Sequence, residues 1–213
     1  MQEINFWRGK AMKNLLLLVI FIALLGCESI STQKAAAPSA RYADLKNTYQ
    51  PCFIIDKKLS NHATIVSTPA FMDNSYGFFV ENHFKRDNTV ILEVGHMIEE
   101  DVQDISQNMF GSQCFISSFD EFTGQGNLII KVDLITSNIS VPEGFNDKIV
   151  SNIGVLYSFY DTNGKELYNV EVKEAGDQTA SSRAAYRKVT NKTVDKVYAS
   201  SKAVISQTLG SIH

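Results

Sequence analysis

The chain has 213 residues, of which 44% are hydrophobic and 20% charged, enough for one domain with a real core and too few for several. A formal charge of −3 with no clustered excess of Lys and Arg excludes the electrostatic footprint of a nucleic-acid binder. The 4 Pro, 12 Gly, 13 Phe and 8 Tyr are spread along the length, which excludes a collagenous or disordered chain.

Leu15 to Leu25 reads LLLLVIFIALL, an uninterrupted apolar run after Lys13 and before Gly26-Cys27. Such a run is too short to span a bilayer as a helix, which takes about 20 residues. A positive start, a short apolar stretch and a small residue before the cut make a secretory signal peptide. Met12-Lys13-Asn14 has the form of its usual start. The order Leu24-Leu25-Gly26-Cys27 resembles the lipobox of bacterial lipoproteins. That resemblance implies lipid attachment at the Cys27 thiol, removal of residues 1–26 as the signal, and acylation of the new Cys27 amine. Each buried methylene contributes about 0.8 kcal/mol, so several acyl chains hold a protein firmly at a bilayer. Glu28, not Asp, follows the cysteine. In sorting of the enterobacterial type this implies the outer membrane, with the protein facing the periplasm. Loss of residues 1–26 removes Arg8, Lys10, Lys13 and Glu3, leaving 187 residues with a charge of −5. Ser29 to Ala40 (SISTQKAAAPSA) is small and polar without periodicity. Residues 27–50 therefore read as the lipidated cysteine and a flexible tether, and residues 51–213 as a single α/β domain.

Cys52 and Cys114 remain in the mature chain, in a compartment where disulfides form and persist. A bridge between them would close a loop of about 60 residues, for which chain entropy gives roughly 4 kcal/mol as an upper figure. The alternative is two separate buried thiols. Neither cysteine has His or carboxylate neighbours at metal-ligand spacing, and no metal or cofactor is expected.

Ala63 to Ser67 (ATIVS), β-branched and closed by Pro69, reads as the first strand. Phe71 to Arg86 carries turn signals at Asp73-Asn74-Ser75 and Gly77 and reads as a loop, with Phe78 to Val80 as an optional short strand. Asp87 or Asn88 stands at an N-cap position. Ile91, Val94, Ile98, Val102, Ile105 and Met109 then recur at steps of three and four, the pattern of an amphipathic helix. Glu93, Glu99, Glu100, Asp101 and Asp104 fall mainly on its other faces and read as solvated surface, since adjacent carboxylates fan outward around a helix.

Asn127 to Ile139 alternates, with Leu128, Ile130, Val132 and Leu134 on a covered face and Lys131 and Asp133 on a wetter one. Ile149 to Tyr160 has apolar residues at both parities, as a central strand does. Asp161-Thr162-Asn163-Gly164-Lys165 reverses the chain into Leu167 to Val172, completing an antiparallel meander. From Ser182 to Ile212 the residues Val189, Val194, Val197, Ser201, Val204, Ile205, Leu209 and Ile212 mark one stripe of a closing helix. The small Ala199, Ser200, Ser201 and Ala203 would let it approach the sheet closely. The predicted fold is α+β: an antiparallel or mixed sheet of about four strands with two long helices packed on it, in the order β-α-β-β-β-α.

That order, with its D-x-x-G-K-x-L turn (Asp161, Gly164, Lys165, Leu167), resembles the small α/β domain of bacterial envelope lipoproteins. Similar architectures occur in the lipopolysaccharide-assembly lipoprotein, in penicillin-binding-protein activator lipoproteins and in periplasmic domains of curli-secretion and Tol-type proteins. The resemblance covers residues 60–212, rests on topology and carries over no functional residue. It implies a recognition module.

Patterns of catalytic chemistry do not assemble. His96 has Glu100 where a zinc-protease helix would place its second His, and reads as a surface histidine. Gly124-Gln125-Gly126 precedes a strand rather than opening a helix, so it reads as a turn. Asp161 to Gly164 lacks the twelve-residue ligand pattern of a calcium loop. The positive signal is aromatic: Phe71, Phe78, Phe79, Phe84, Phe115, Phe119 and Phe122 concentrate in the loops flanking the first helix. They either close over the core or form a partner surface. Phe78, Phe79 and Phe84, beside Asp73, Asn74, Glu81 and Asn82, are the candidate partner-binding residues. The sequence thus predicts a non-catalytic, membrane-anchored periplasmic lipoprotein, an adaptor or assembly factor in cell-envelope biogenesis or transport. Its expected partners are the membrane, through the lipid, and another envelope protein. The alternative is a lipoprotein that binds a small molecule or glycan in the groove between helix and sheet.

Overall fold

The computed structural model describes residues 45–69, 89–144 and 147–211. In chain order its elements are β1 (Pro51–Ile55), α1 (Lys57–Ser60), β2 (Thr64–Ser67), β3 (Thr89–Leu92), α2 (Val94–Ile105), β4 (Cys114–Ile116), β5 (Leu128–Ile139), β6 (Lys148–Tyr160), β7 (Glu166–Thr179) and α3 (Ala184–Ser211). Five strands make one mixed sheet in the order β4-β1-β5-β6-β7, and β2 and β3 pair in a separate ribbon. The class is α+β, as the sequence predicts, with more strands than expected.

The half of the sheet that sequence patterning finds is the meander. β5 pairs antiparallel with β6, and β6 with β7. Leu128, Ile130 and Val132 are buried facing the helices, and Lys131 and Asp133 form an ion pair at 2.8 Å on the other face. β7 continues to Thr179, seven residues beyond its expected end, because β6 offers partners along its whole length. The half that patterning misses is parallel. β1 lies between β4 and β5 and runs parallel to both, so all five of its residues are buried and show no alternation.

Two expectations shift at the front of the chain. Thr64–Ser67 is a strand, but it pairs with β3 rather than with the large sheet. Thr89–Leu92 is strand where helix was predicted, because the run TVIL is rich in β-branched residues that favour a pleated partner over a helical turn. The helix begins at Val94, so Ile91 is not on its stripe, and the predicted caps Asp87 and Asn88 lie outside the described residues. From Val94 onward the stripe holds: Val94, Ile98, Val102 and Ile105 are buried, with Met109 in a π-turn over Ser106–Phe110.

α2 and α3 share one core with the inner face of the sheet, built on Phe53, Ile130, Val155, Tyr157 and Phe159 against Ile98, Val102, Val197 and Ile205. The close approach of α3 occurs at Gly176 of β7, where a Cβ would stand 2.4 Å from Thr193 Oγ1 and 3.3 Å from the Val189 carbonyl oxygen. Of the small residues expected at this contact, Ser201 is buried and accepts a 2.9 Å hydrogen bond from the Tyr157 hydroxyl, whereas Ala199 and Ala203 face solvent. Buried Thr190 and Thr193 donate to helix carbonyls one turn back, which satisfies their hydroxyls. No helix among the described residues is long and apolar enough to cross a membrane.

Candidate functional site

The two ends of the sheet differ in character. At one end the chain coming from the N-terminus is fastened to the body. The Tyr49 hydroxyl donates to the Leu209 carbonyl near the end of α3 at 3.1 Å. Asn127 holds the same stretch twice, accepting from the Gln50 amide at 2.8 Å and donating to the Thr48 carbonyl at 2.8 Å. Gly126 makes this possible: its φ of 116° is open to glycine, and a Cβ would sit 2.3 Å from the Gln50 carbonyl oxygen. Thus Gly124-Gln125-Gly126 is a turn, as predicted, and it is also a clasp. Beside it lies a cleft of about 370 Å³ whose lining includes Lys46, Gln50, Gln113 and Gln125.

The opposite end carries the ribbon. Thr64 Oγ1 and Ser137 Oγ lie 2.6 Å apart, fixing β2 to the far part of β5. Val66, Val90 and Leu92 turn inward, and Ile65 and Ile91, directly opposite each other in register, turn outward. With exposures of 68% and 55%, they are the two most exposed large aliphatics among the described residues. A groove of about 500 Å³ adjoins them, lined by Thr89, Val90, Ile91, Arg183, Ala184 and Arg187. Arg187 is exposed on the first turns of α3. Asn127 and Ser137 lie ten residues apart along β5, and at roughly 3.3 Å per residue the clasp and the ribbon stand about 33 Å apart.

Cys52 and Cys114 are joined, with an S–S distance of 1.97 Å and Cα atoms 4.6 Å apart, at paired positions of β1 and β4. Cys27, Phe78, Phe79 and Phe84 lie outside the described residues, the three phenylalanines in the segment linking β2 to β3. Phe115 and Phe119 are 37% and 38% exposed. They do not form one patch: Phe115 stacks on Phe53 at 6.0 Å on the helix side, and Phe119 meets Tyr160 edge-on at 4.8 Å on the other side. The sequence reading missed Ile65 and Ile91 because their shared outward face depends on a pairing between distant segments.

One carboxylate expected on the surface is not there. Asp101 of α2 has Oδ2 buried without a hydrogen-bond partner. Burial, followed by the like charges of Asp195, Asp104 and Glu100, pushes its carboxyl up to about 7. Nearby, Asp104 accepts from the Tyr198 hydroxyl, which in turn accepts from Lys202 Nζ at 3.1 Å. His96 is exposed, as predicted, with Nε2 3.3 Å from Glu100. Asp161 Oδ1 accepts from the amides of Asn163 and Lys165 at 2.9 Å, bonds that hold its carboxyl below the usual range and tie the reversal. No group of three or more His, Cys, Asp or Glu among the described residues is placed to hold a metal ion.

The sequence matches no protein-family model and no curated relative. Solved structures with a similar chain path exist. Protein XCC0632 of Xanthomonas campestris, a DUF330 protein, superposes with a TM-score of 0.50 at 9% identity over 78% of this chain and 89% of that one. A candidate lipoprotein of Caulobacter crescentus gives 0.40 at 11% identity over 56% and 85% of the two chains. A minor lipoprotein of Acinetobacter baumannii gives 0.36 at 10% identity over 54% and 82%. The first of these shares the fold with this chain, and at such identities no residue role transfers.

Proposed function

We propose that this chain is a bacterial lipoprotein, held by lipid on Cys27 in the outer membrane and facing the periplasm, whose folded body is a non-catalytic adaptor for another envelope protein. The observation that carries the reading is the exposed, directly opposed pair Ile65 and Ile91 on the ribbon. The stretch leading back to Cys27 is clasped at one end by Tyr49, Gln50 and Asn127, and the exposed Ile65–Ile91 pair stands at the other. Paired exposed aliphatics with a polar rim are the usual centre of a protein interface. A second reading, binding of a small molecule or glycan, is favoured by the cleft lined by Gln50, Gln113 and Gln125, whose amides supply both donors and acceptors for a hydroxyl-rich ligand.

The test has two parts. Mass spectrometry of the membrane fraction should find the chain beginning at an acylated Cys27, and an unmodified Cys27 behind residues 1–26 would defeat the anchor. Replacing Ile65 and Ile91 together by Ser should abolish partner retention while leaving the melting temperature nearly unchanged, since both side chains face solvent. A large loss of stability would place the pair in the core instead.

A further inference from the structure

We propose that Cys114 is a thiol-exchange site: an external dithiol attacks its Sγ and not that of Cys52, and the broken bond releases β4 from the edge of the sheet. The inference does not depend on the docking reading above. The direction of attack follows from the strand register. Cys52 of β1 stands between Cys114 of β4 and Ile129 of β5 on one face of the sheet. A thiolate approaches a disulfide sulfur in line with the bond it breaks, from the side opposite the leaving sulfur. For Cys52 that side belongs to Ile129, and both residues are buried, at 0% and 1% exposure. For Cys114 it is the outer edge of β4, the last strand of the sheet among the described residues. Cys114 is half-buried, and two adjoining clefts of about 370 and 110 Å³ border it and share Gln113 and Gln125.

The exchange balances with one dithiol. Its thiolate bonds to Cys114 Sγ, the Cys52–Cys114 bond breaks, and the electron pair leaves on Cys52 Sγ, which takes up a proton. The second thiol of the reagent, as thiolate, then bonds to the first and expels Cys114 as a thiolate, which is protonated in turn. The cystine gains two electrons and the two protons of the dithiol, which ends as a disulfide. What still holds β4 is slight. It has three residue pairs to β1, none of its residues is fully buried, and Phe115 stacks on Phe53 at 6.0 Å. The Ser112 hydroxyl adds a hydrogen bond to the Pro51 carbonyl at 2.7 Å. Segments with so few buried contacts open locally at a small part of the global unfolding free energy. Ser112, Gln113 and Cys114 also wall the larger cleft, so release of β4 opens it.

The experiment uses the native, oxidised full chain and reads each cysteine-bearing peptide separately by mass spectrometry. The probe is glutathione, a monothiol that stops at the mixed disulfide, followed by an acid quench and capping of free thiols with N-ethylmaleimide. Glutathione on Cys114 with maleimide on Cys52 should outnumber the reverse by roughly tenfold or more. Glutathione mainly on Cys52, an even split, or no exchange until denaturant is added overturns the assignment. Release is read by hydrogen exchange before and after treatment with dithiothreitol. Amides of Cys114 to Ile116 should exchange faster by roughly tenfold or more in the reduced protein, with those of Ile153 to Phe159 in β6 unchanged. Unchanged rates in β4 overturn release, and an equal rise in β6 shows global unfolding and overturns it too. Neither readout involves a partner at the ribbon, so failure here leaves the docking reading standing.

Discussion

Replacing Asp101 by Asn should stabilise the protein at neutral and alkaline pH and change it little in acid. The carboxylate projects from α2 with Oδ2 buried and unbonded. It faces Asp195 of α3 and Tyr157 of β6, with Glu100 and Asp104 on its own helix. Burial and these like charges raise it from an ordinary value of 3.8 to about 7. The folded protein therefore keeps a proton that the unfolded chain has already released over that range. The stability linked to this group is fully present below about pH 4 and is lost as pH rises through about 7. For a fully shielded site the shift would correspond to roughly 4 kcal/mol. Asp101 is only about half-buried, and solvent screening reduces the expectation to about 1–2 kcal/mol. In a domain of this size that is a rise in melting temperature of roughly 2–8 °C. Thermal melts of the parent and Asp101→Asn proteins at intervals from pH 4 to pH 8.5 give the difference curve, in which titrations common to both cancel. An Asn variant no more stable than its parent at pH 8.5, or an equal difference at pH 4, would refute the argument.

Gly176→Ala should lower stability by about 2 kcal/mol in urea titration, because the new methyl meets Thr193 Oγ1 at 2.4 Å. Adding Thr193→Ala should restore part of the loss, and no recovery would mean that backbone conformation, not contact, fixes the glycine. Reduction of the Cys52–Cys114 bond, which spans a sequence separation of 62, should lower the melting temperature in line with an upper figure of about 4 kcal/mol. Alkylation of both thiols in the denatured, unreduced protein would show that the bond is absent.

The parts of the fold legible in the sequence are those whose burial repeats with one period over a long stretch. α3 shows its stripe because a helix on a sheet buries every third or fourth residue for eight turns, and β5 shows alternation because one side of the meander is wet. β1 gives no such signal: PCFII is apolar throughout, and a short apolar run reads equally as strand or buried helix. β3 misled for a sharper reason. Ile91 stands three residues before Val94, in step with the true stripe of α2, so the helical period runs back by coincidence into a strand. The outward pair Ile65–Ile91 could not be read locally, since each residue alone is one apolar position in an alternating run. Asp101 could have been read. It follows Ile98 by three and precedes Ile105 by four, which places it at the margin of the buried face rather than opposite it.

Among the described residues the large sheet ends at β4 and β7 with no further strand, and these edges bear on where a partner can dock, because an unpaired strand is itself a template for another chain. β7 is long, but it presents Glu171, Lys173 and Asp177 on the solvent side, with Lys173 and Glu171 paired at 2.6 Å and Lys148 paired with Asp177. Lys196 reaches across from α3 to the Ala175 carbonyl at 2.6 Å, occupying a backbone acceptor that an added strand would need. β4 is only three residues long and is stapled to β1 through Cys114, so it cannot shift to accommodate a guest strand. A strand added along β7 would have to displace Lys196 from the Ala175 carbonyl, and one added to β4 would gain about three residues of ladder. The ribbon needs neither, since docking on Ile65 and Ile91 uses side chains that already face water. That difference is why the ribbon, and not an edge of the large sheet, is the surface on which the proposed adaptor role turns.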